Sequence, residues 1–541
     1  MTLKPFLLLC LFFLATVSAT YNVDNNYIVQ LKQTACIKDF IPKLVDGAAD
    51  FIESLLGDAV QILEERPSRH VKRCNLKKHN HVDVMDTYNI GDTFKALSVN
   101  IENHSLVKHL VGLFDEVVSI VPDDKIQFNL GHPGDMEKRY YIRHVRIHNS
   151  SNTEPENGNI ERKKKITSLH QLEHDRNCPN YKKPVVTSFG SKKKSETKKK
   201  IASKKGKSTT TKTKAAKATS TPSSKGVSYI KQKNAQWNLV RISERKPDYS
   251  KPYIYNSRAG SSSGVRVYVV DDGINIKHED LQGRAEWGFS ALGDDADKNG
   301  GGHGTHVAGI IAGKTYGVAK KANVVSVQVL DESGMGTVSM LLGGIQWATK
   351  DAAKYKKRAL INMSLGVSDT NRASATLDKA VTAAVKAGIP VIVASGNDQV
   401  YVFGLFTYPS GTWKTNLIPS DACTVVPARN PNVWTVSATD KSDVIDVDSN
   451  YGKCVQILAP GVDVKSIFVG SPNATHVLSG SSQAAPHVSG VAALLIPDLK
   501  DPSPKNVYKA LDQYATKNVA KKIQNKTPNK ILFNGQTASN K

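Results

Sequence analysis

Val265-Arg-Val-Tyr-Val-Val-Asp-Asp-Gly273 reads as a strand that stops on two carboxylates and a glycine. Its β-branched and aromatic residues suit a pleated, buried ladder, and the glycine marks the turn at which the strand ends. Four more short apolar runs share this character, at residues 324–330, 360–365, 391–394 and 433–436. Helical periodicity covers 303–313, 338–355 and 374–388 between them. Strands alternating with helices of this length predict a parallel sheet covered on both faces. The expected fold class is therefore α/β, a doubly wound parallel sheet flanked by helices. Such sheets carry their sites at the carboxyl ends of strands, where Asp271 stands.

Two motifs follow it in the chain, His303-Gly-Thr-His306-Val-Ala-Gly309 and Ser479-Gly-Ser-Ser482-Gln-Ala-Ala-Pro486-His487. A serine hydroxyl is a weak nucleophile at neutral pH. It needs a histidine to take its proton and a carboxylate to hold that histidine's tautomer and stabilise the imidazolium. The chain order acid, imidazole, hydroxyl is the subtilisin order, distinct from those of chymotrypsin and the α/β-hydrolases. Asp272, His306 and Ser481 are the local rivals. Asp272 follows the strand rather than ending it, and His306 lies one helical turn past His303. Ser482 is expected to head a helix running through Val491 to Leu495, with its positive end toward the same place.

From Gln236-Trp-Asn-Leu-Val-Arg-Ile-Ser243 through Ser482 the chain resembles the proteinase K-like branch of the subtilases. The phrases Thr315-Tyr-Gly-Val-Ala-Lys-Lys321, Val327-Gln-Val-Leu-Asp331 and Ser449-Asn-Tyr-Gly452 carry the likeness between the motifs. The resemblance implies that Asp271 orients and stabilises the histidine, that His303 is the general base and later the acid, and that Ser482 is the nucleophile. It makes the Asn397 side-chain amide, in Ala394-Ser-Gly-Asn397, an oxyanion donor together with the Ser482 backbone N–H. Ser364, Leu365 and Gly366 on one side, and Ala394, Ser395 and Gly396 on the other, match the family's two walls of the P1 pocket. Neither wall carries a carboxylate, so apolar or aromatic P1 residues are expected. The implied activity is that of a serine endopeptidase of broad specificity, made as a zymogen.

Several positions depart from that pattern. Ser481 stands for the usual threonine, Val367 for a glycine whose loss can narrow the substrate groove, and Gln483 for the methionine that commonly follows the nucleophile. Gln456 replaces the carboxylate of the relatives' calcium site. Only the carbonyls of Pro431 and Val433 remain there, and calcium wants anionic oxygens, so no cofactor is expected to be required. An aromatic-rich insert, residues 399–420, begins just after Asn397. It reads as a substrate-contacting loop, a surface insertion or a retained intron. It is also the one feature favouring a rival reading, a catalytically impaired binding protein tethered by a basic segment. A kexin-type processing protease, suggested by Asp271-Asp-Gly273, lacks the acidic pocket residues that reading needs.

Upstream, Lys4 precedes an apolar run over residues 5–14 and the small-residue step Val17-Ser-Ala19, so residues 1–19 read as a secretory signal peptide. The run is too short to span a membrane, and no transmembrane anchor is expected. Secretion follows, with a vacuolar destination as the alternative. In residues 20–135, alternation over 27–32, helical spacing over 41–65 and 106–114, and strands at 94–101 and 117–121 predict a small α+β module. Tyr27-Ile-Val-Gln-Leu-Lys32, Phe94-Lys-Ala-Leu97 and Val117-Val-Ser-Ile-Val-Pro-Asp-Asp124 resemble the inhibitor-type propeptide of secreted subtilases. The chain's own propeptide is thus an expected intramolecular partner, beside protein and peptide substrates.

Residues 136–230 form a Lys/Ser/Thr-rich linker, expected to be removed or disordered, and residues 231–541 the peptidase domain. The stretch 161–226 carries about +16 of the formal net charge of +24. It lacks the interleaved aromatics and periodicity of a folded basic face, so specific nucleic-acid binding is not expected. Five cysteines remain after Cys10 leaves with the signal, and Cys423–Cys454 is a candidate disulfide in an oxidising compartment. No Cys-x-x-Cys pair points to zinc. Asn103, Asn149 and Asn473 lie in glycosylation sequons, and a monomer is expected.

Overall fold

The computed structural model describes residues 25–64, 82–101, 107, 110, 112–128, 132–133, 229–256, 264–293, 297–355, 357–368, 374–403, 415–524 and 526–535. Only the backbone is described for 52–64, 132–133, 399–403 and 415–419. The signal-peptide reading of residues 1–19, the linker before residue 229 and the sequons at Asn103 and Asn149 lie outside the described residues.

The N-terminal unit runs β1 (Asn26–Leu31), α1 (Ile37–Glu64), β2 (Val82–Ile90), β3 (Phe94–Ile101) and β4 (Val117–Pro122). These strands form one antiparallel sheet in the order β2-β3-β1-β4. Strand β2 has no counterpart in the sequence reading. It is an edge strand whose exposed Asp83, Met85 and Asp86 interrupt the apolar pattern, and such polar edges guard against stray pairing. Two short extended pieces follow, β5 (Lys125–Gln127) and β6 (His132–Pro133).

The second unit contains β7 (Arg266–Asp271), β8 (Ala285–Ser290), α2 (His303–Ala312), β9 (Asn323–Gln328), β10 (Met335–Thr337), α3 (Val338–Ala352), β11 (Ala359–Met363), α4 (Ser374–Lys386) and β12 (Val391–Ala394). It continues through β13 (Gln399–Phe403), β14 (Thr415–Pro419), β15 (Trp434–Thr439), β16 (Ile457–Pro460), β17 (Thr475–Ser479), α5 (Ser481–Leu495), α6 (Pro504–Tyr514), β18 (Thr516–Lys517) and β19 (Lys530–Ile531). Nine of these strands form one sheet in the order 8-9-7-11-12-15-16-19-18, and only the last pair is antiparallel. The expected doubly wound α/β class is what the chain adopts. Every residue of β7 is buried, because helices cover both faces of a parallel sheet. Val307, Ile311, Val488, Val491, Val507 and Leu511 from α2, α5 and α6 pack in one core cluster. Leu341, Leu342, Ile345, Leu377 and Val381 from α3 and α4 pack in another. The sequence reading found five of the nine strands to within three residues at either end but passed over β8, β16, β18 and β19.

The two units share a core. Ile28, Tyr88, Ile90 and Phe94 of the N-terminal sheet belong to the same cluster as Leu341, Ile345 and Leu377 of α3 and α4. Polar contacts fix the docking: Ser339 N–H at the start of α3 donates to Asp123 Oδ1 at 2.8 Å, and Lys379 Nζ donates to Gln30 Oε1 at 2.7 Å.

Near the start of the second unit, Arg241 is fully buried. Its Nε and Nη2 reach Asp443 Oδ1 and Oδ2 at 2.6 and 3.2 Å, and its Nη1 donates to the Glu244 carbonyl. Asp443→Ala leaves that guanidinium buried without its counter-ion. Chemical denaturation is expected to show a loss of about 3–5 kcal/mol, with Arg241→Met/Asp443→Asn recovering much of it, since Asn tolerates the left-handed φ of +64° at that position.

Candidate active site

The sheet topology brings the three motifs together. Asp271 ends β7, and β7 lies beside β11 in the sheet. Ser364, Leu365 and Gly366 follow β11, and Ala394, Ser395 and Gly396 close β12 next to it. His303 opens α2 and Ser482 stands in the first turn of α5. Asp271, His303 and Ser482 are all buried.

His303 Nδ1 lies 2.8 Å from Asp271 Oδ1, which also accepts the backbone N–H of Asp272 at 2.9 Å. Ser482 Oγ donates to the Ser364 carbonyl at 3.1 Å, and Ser364 Oγ donates to the Ser482 carbonyl at 2.9 Å. Pro486 explains the second bond. It lies four residues after Ser482 and has no N–H, so the Ser482 carbonyl lacks its helical donor, and Ser364 supplies one. Gln483, fully buried, places its side-chain Nε2 3.5 Å from His303 Nε2.

Asn397 is oriented by Ser481, whose N–H and Oγ donate to Asn397 Oδ1 at 2.8 and 2.9 Å. The carbonyl end of the amide is thereby assigned to Ser481, and its other end is the donor Nδ2. The Ser482 N–H belongs to the first helical turn, which offers no intrahelical acceptor. Gly396 takes φ +96°, and a side chain there would meet Asn450 Nδ2 at 2.5 Å and Asp398 Oδ2 at 2.8 Å, so only glycine fits. Asn450 braces this turn: its Nδ2 donates to the Ser395 carbonyl, its Oδ1 accepts Asp398 N–H and its own N–H donates to the Gly396 carbonyl. The sequence reading gave Asn450 no role, although the Ser449-Asn-Tyr-Gly452 phrase contains it.

The rivals have other partners. His306 Nε2 faces the carbonyls of Val464 and His476 at 3.1 and 3.2 Å, and burial pushes its pKa down to about 3. Asp272 accepts the N–H groups of His303 and Gly304. Val367 is buried in the same core cluster as Val426, with which it pairs.

The insert forms a hairpin in which β13 pairs antiparallel with β14, from Gln399↔Pro419 to Phe403↔Thr415. Ser420 N–H donates to the Asp398 carbonyl at 2.9 Å, closing the stem at its base. Hairpin ends lie side by side, so the flanking chain holds Asn397 against Ser481 despite the insertion. The Cys423–Cys454 disulfide lies just beyond it.

Two positions of the calcium reading, Gln456 and Pro431, stand among cations and paired carboxylates. Gln456 Oε1 accepts the Thr435 N–H at 2.5 Å, and the cleft beside it is lined by Lys453, Lys509 and Asp512, whose Oδ1 is paired with Lys530 Nζ at 2.5 Å. Pro431 lines a separate cleft with Lys379, Lys386 and Asp378, whose Oδ2 is paired with Arg429 Nε at 2.6 Å. A neutral amide, ammonium groups and carboxylates already paired with cations are a poor setting for an ion that selects anionic oxygens. Among the described residues, no group of three or more His, Cys, Asp or Glu is placed to hold a metal ion.

Comparison with known proteins points one way. Residues 262–532 match the family model described as the subtilase family. The chain is 40% identical over 329 residues to the subtilisin-like serine protease Pen ch 18 of Penicillium rubens, covering 57% of this chain and 61% of that protein. It is 38% identical over 333 residues to alkaline protease 2 of Aspergillus fumigatus, with 57% and 62% covered. It is 41% identical over 309 residues to the subtilase-type proteinase psp3 of Schizosaccharomyces pombe, with 56% and 62% covered. The chain thus spans about three fifths of the length of these relatives. A solved cold adapted subtilisin-like serine proteinase aligns with 56% of this chain and 98% of its own, at 36% identity and a TM-score of 0.48.

Proposed function

This chain belongs to the subtilase family, and from that premise we propose that it is a serine endopeptidase made as a zymogen, in which Asp271, His303 and Ser482 act as the catalytic triad. The observation that carries the reading is the 2.8 Å contact from His303 Nδ1 to Asp271 Oδ1, on a sheet that sets Ser482 at the head of a neighbouring helix. Asp271 holds the imidazole with its proton on Nδ1, so Nε2 is the basic nitrogen. The Ser482 hydroxyl leaves the Ser364 carbonyl and gives its proton to Nε2 as Oγ attacks the scissile carbonyl carbon. Asn397 Nδ2 and the Ser482 N–H then receive the developing oxyanion. The protonated histidine passes its proton to the leaving amine, and water repeats the sequence on the acyl-enzyme. The walls at Ser364–Leu365–Gly366 and Ala394–Ser395–Gly396 carry no charged group, which favours apolar or aromatic P1 side chains.

The N-terminal unit supports the zymogen reading. Strand β5 pairs antiparallel with β10, and Phe128 N–H donates to the Gly334 carbonyl at 3.0 Å. Strand β6 pairs with Leu478 and Ser479, three residues before Ser482. The chain is therefore held in extended form at β10 and again on the strand that leads to Ser482, the form by which proteases read substrates. A first self-cleavage between Phe128 and His132 is the cut this reading expects, which leaves the basic linker on the peptidase unit. Secretion is proposed on the N-terminal signal. No helix among the described residues is long and apolar enough to cross a membrane.

Labelling of the purified, processed chain with a fluorophosphonate, followed by peptide mapping, tests the proposal. The adduct is expected on Ser482, with a new N-terminus between residues 129 and 132. Processed, folded protein that takes no label would defeat the enzyme reading in favour of a binding role.

A further inference from the structure

The proposed chemistry uses Asp271 and leaves its neighbour Asp272 idle, yet Asp272 is 1% exposed. Its Oδ2 accepts the His303 N–H at 3.1 Å and its Oδ1 accepts the Gly304 N–H at 2.7 Å. These are two of the donors that a helix start leaves unpaired. Helix α2 has no side-chain cap of its own, because its N-cap residue is Gly302 at φ +102°. The cap comes instead from the end of β7, 31 residues earlier in the chain. Glycines make room for it. A side chain at Gly304 would lie 2.9 Å from Asp272 Oδ1, one at Gly301 3.3 Å from Oδ2, and one at Gly300 3.0 Å from Cγ.

We propose that Asp272 is a positioning residue: by clamping the His303 and Gly304 backbone to the end of β7, it sets the imidazole at bonding distance from Asp271. This rests on the triad reading above. The two carboxylates are adjacent in the chain, so one short segment holds His303 twice, by its ring through Asp271 and by its backbone through Asp272. A side chain moved even about 1 Å loses much of the advantage of a positioned base.

Asp272 also brings a pH dependence. Burial, and after it the Asp271 charge, push its pKa up to about 7, against the pull of His303. Asp271 on its own strand and His303 on α2 are the titratable groups facing it. From the other neighbouring segments it meets Gln328, whose Nε2 donates to its carbonyl, and the glycine turn before α2. Ionised, it accepts both backbone bonds; protonated, one oxygen becomes a donor and one bond is lost. A carboxyl raised above its unfolded value binds its proton more tightly in the native state. Its stabilising contribution is complete below about pH 4 and is lost as pH rises through about 7. Clamping and stability therefore change in opposite directions with pH.

The test compares Asp272→Asn and Asp272→Ser with the parent in processed enzyme, by steady-state kinetics and thermal melts from pH 5 to 9. A kcat roughly tenfold lower or more with KM within about twofold is expected, together with a change in the midpoint and shape of the kcat–pH profile, which in the parent combines the titration of Asp272 with that of the His303 base. The Tm of Asp272→Asn is expected to gain on the parent as pH rises. A kcat within about twofold of the parent throughout overturns the proposal. So does failure of both variants to fold, which would make Asp272 a purely structural cap. A folded parent without activity instead removes the triad reading itself.

Discussion

Ser482→Ala is expected to lower kcat by about 10⁶-fold and to leave the chain uncut between its two units. The large factor arises because nucleophile and base act as one device: once Oγ is gone, His303 has no proton to take. What remains is polarisation by the oxyanion donors and binding in the cleft. The substitution removes one oxygen from a buried site, and with it the bond to the Ser364 carbonyl, so folding and docking of the N-terminal unit should persist. Full-length protein should accumulate, while the parent yields separate fragments. Intact mass after purification under identical conditions reads the difference. Normal processing of Ser482→Ala would assign the cut to another protease, and residual peptide hydrolysis at the parent's rate would remove Ser482 from the mechanism.

The second large effect concerns Asn397. Deleting one oxyanion donor costs about 10²–10³ in kcat, a range itself established on a subtilisin. Asn397→Asp is the informative change here. It keeps an oxygen for the Ser481 N–H, which reaches Asn397 Oδ1 at 2.8 Å, but exchanges the donor Nδ2 for a second acceptor. The loss should therefore appear in kcat with little change in KM, since the donor meets negative charge only as the tetrahedral intermediate forms. The hairpin that begins two residues later gives this experiment added weight. If 399–420 interferes with the oxyanion site, the parent is already slow and Asn397→Asp changes little; if its closed stem isolates it, the full 10²–10³ appears. Stopped-flow acylation with an activated ester separates these outcomes.

The central strands were plain in the sequence because a parallel sheet buries both faces, and continuous runs such as residues 265–270 mark it without ambiguity. The edges were not. Strand β2 carries Asp83 and Asp86 toward solvent, and β18 and β19 are two-residue ladders, too short to leave a period. Within the site, the acid, the imidazole, the hydroxyl and the amide are each flagged by glycine-rich surroundings that local backbone geometry demands. Their supports leave no such trace. The sequence reading treated Asp272 as a rival to Asp271, and only the approach of α2 to the end of β7 gives it two amide partners. Asn450 lies 53 residues from Asn397, and its bonds exist because β12 and the segment after β15 meet at one end of the sheet. Residues that react are chemically unusual and so can be read in one dimension. Residues that hold them use ordinary hydrogen bonds to distant backbone, and those partners exist only once the chain has closed upon itself.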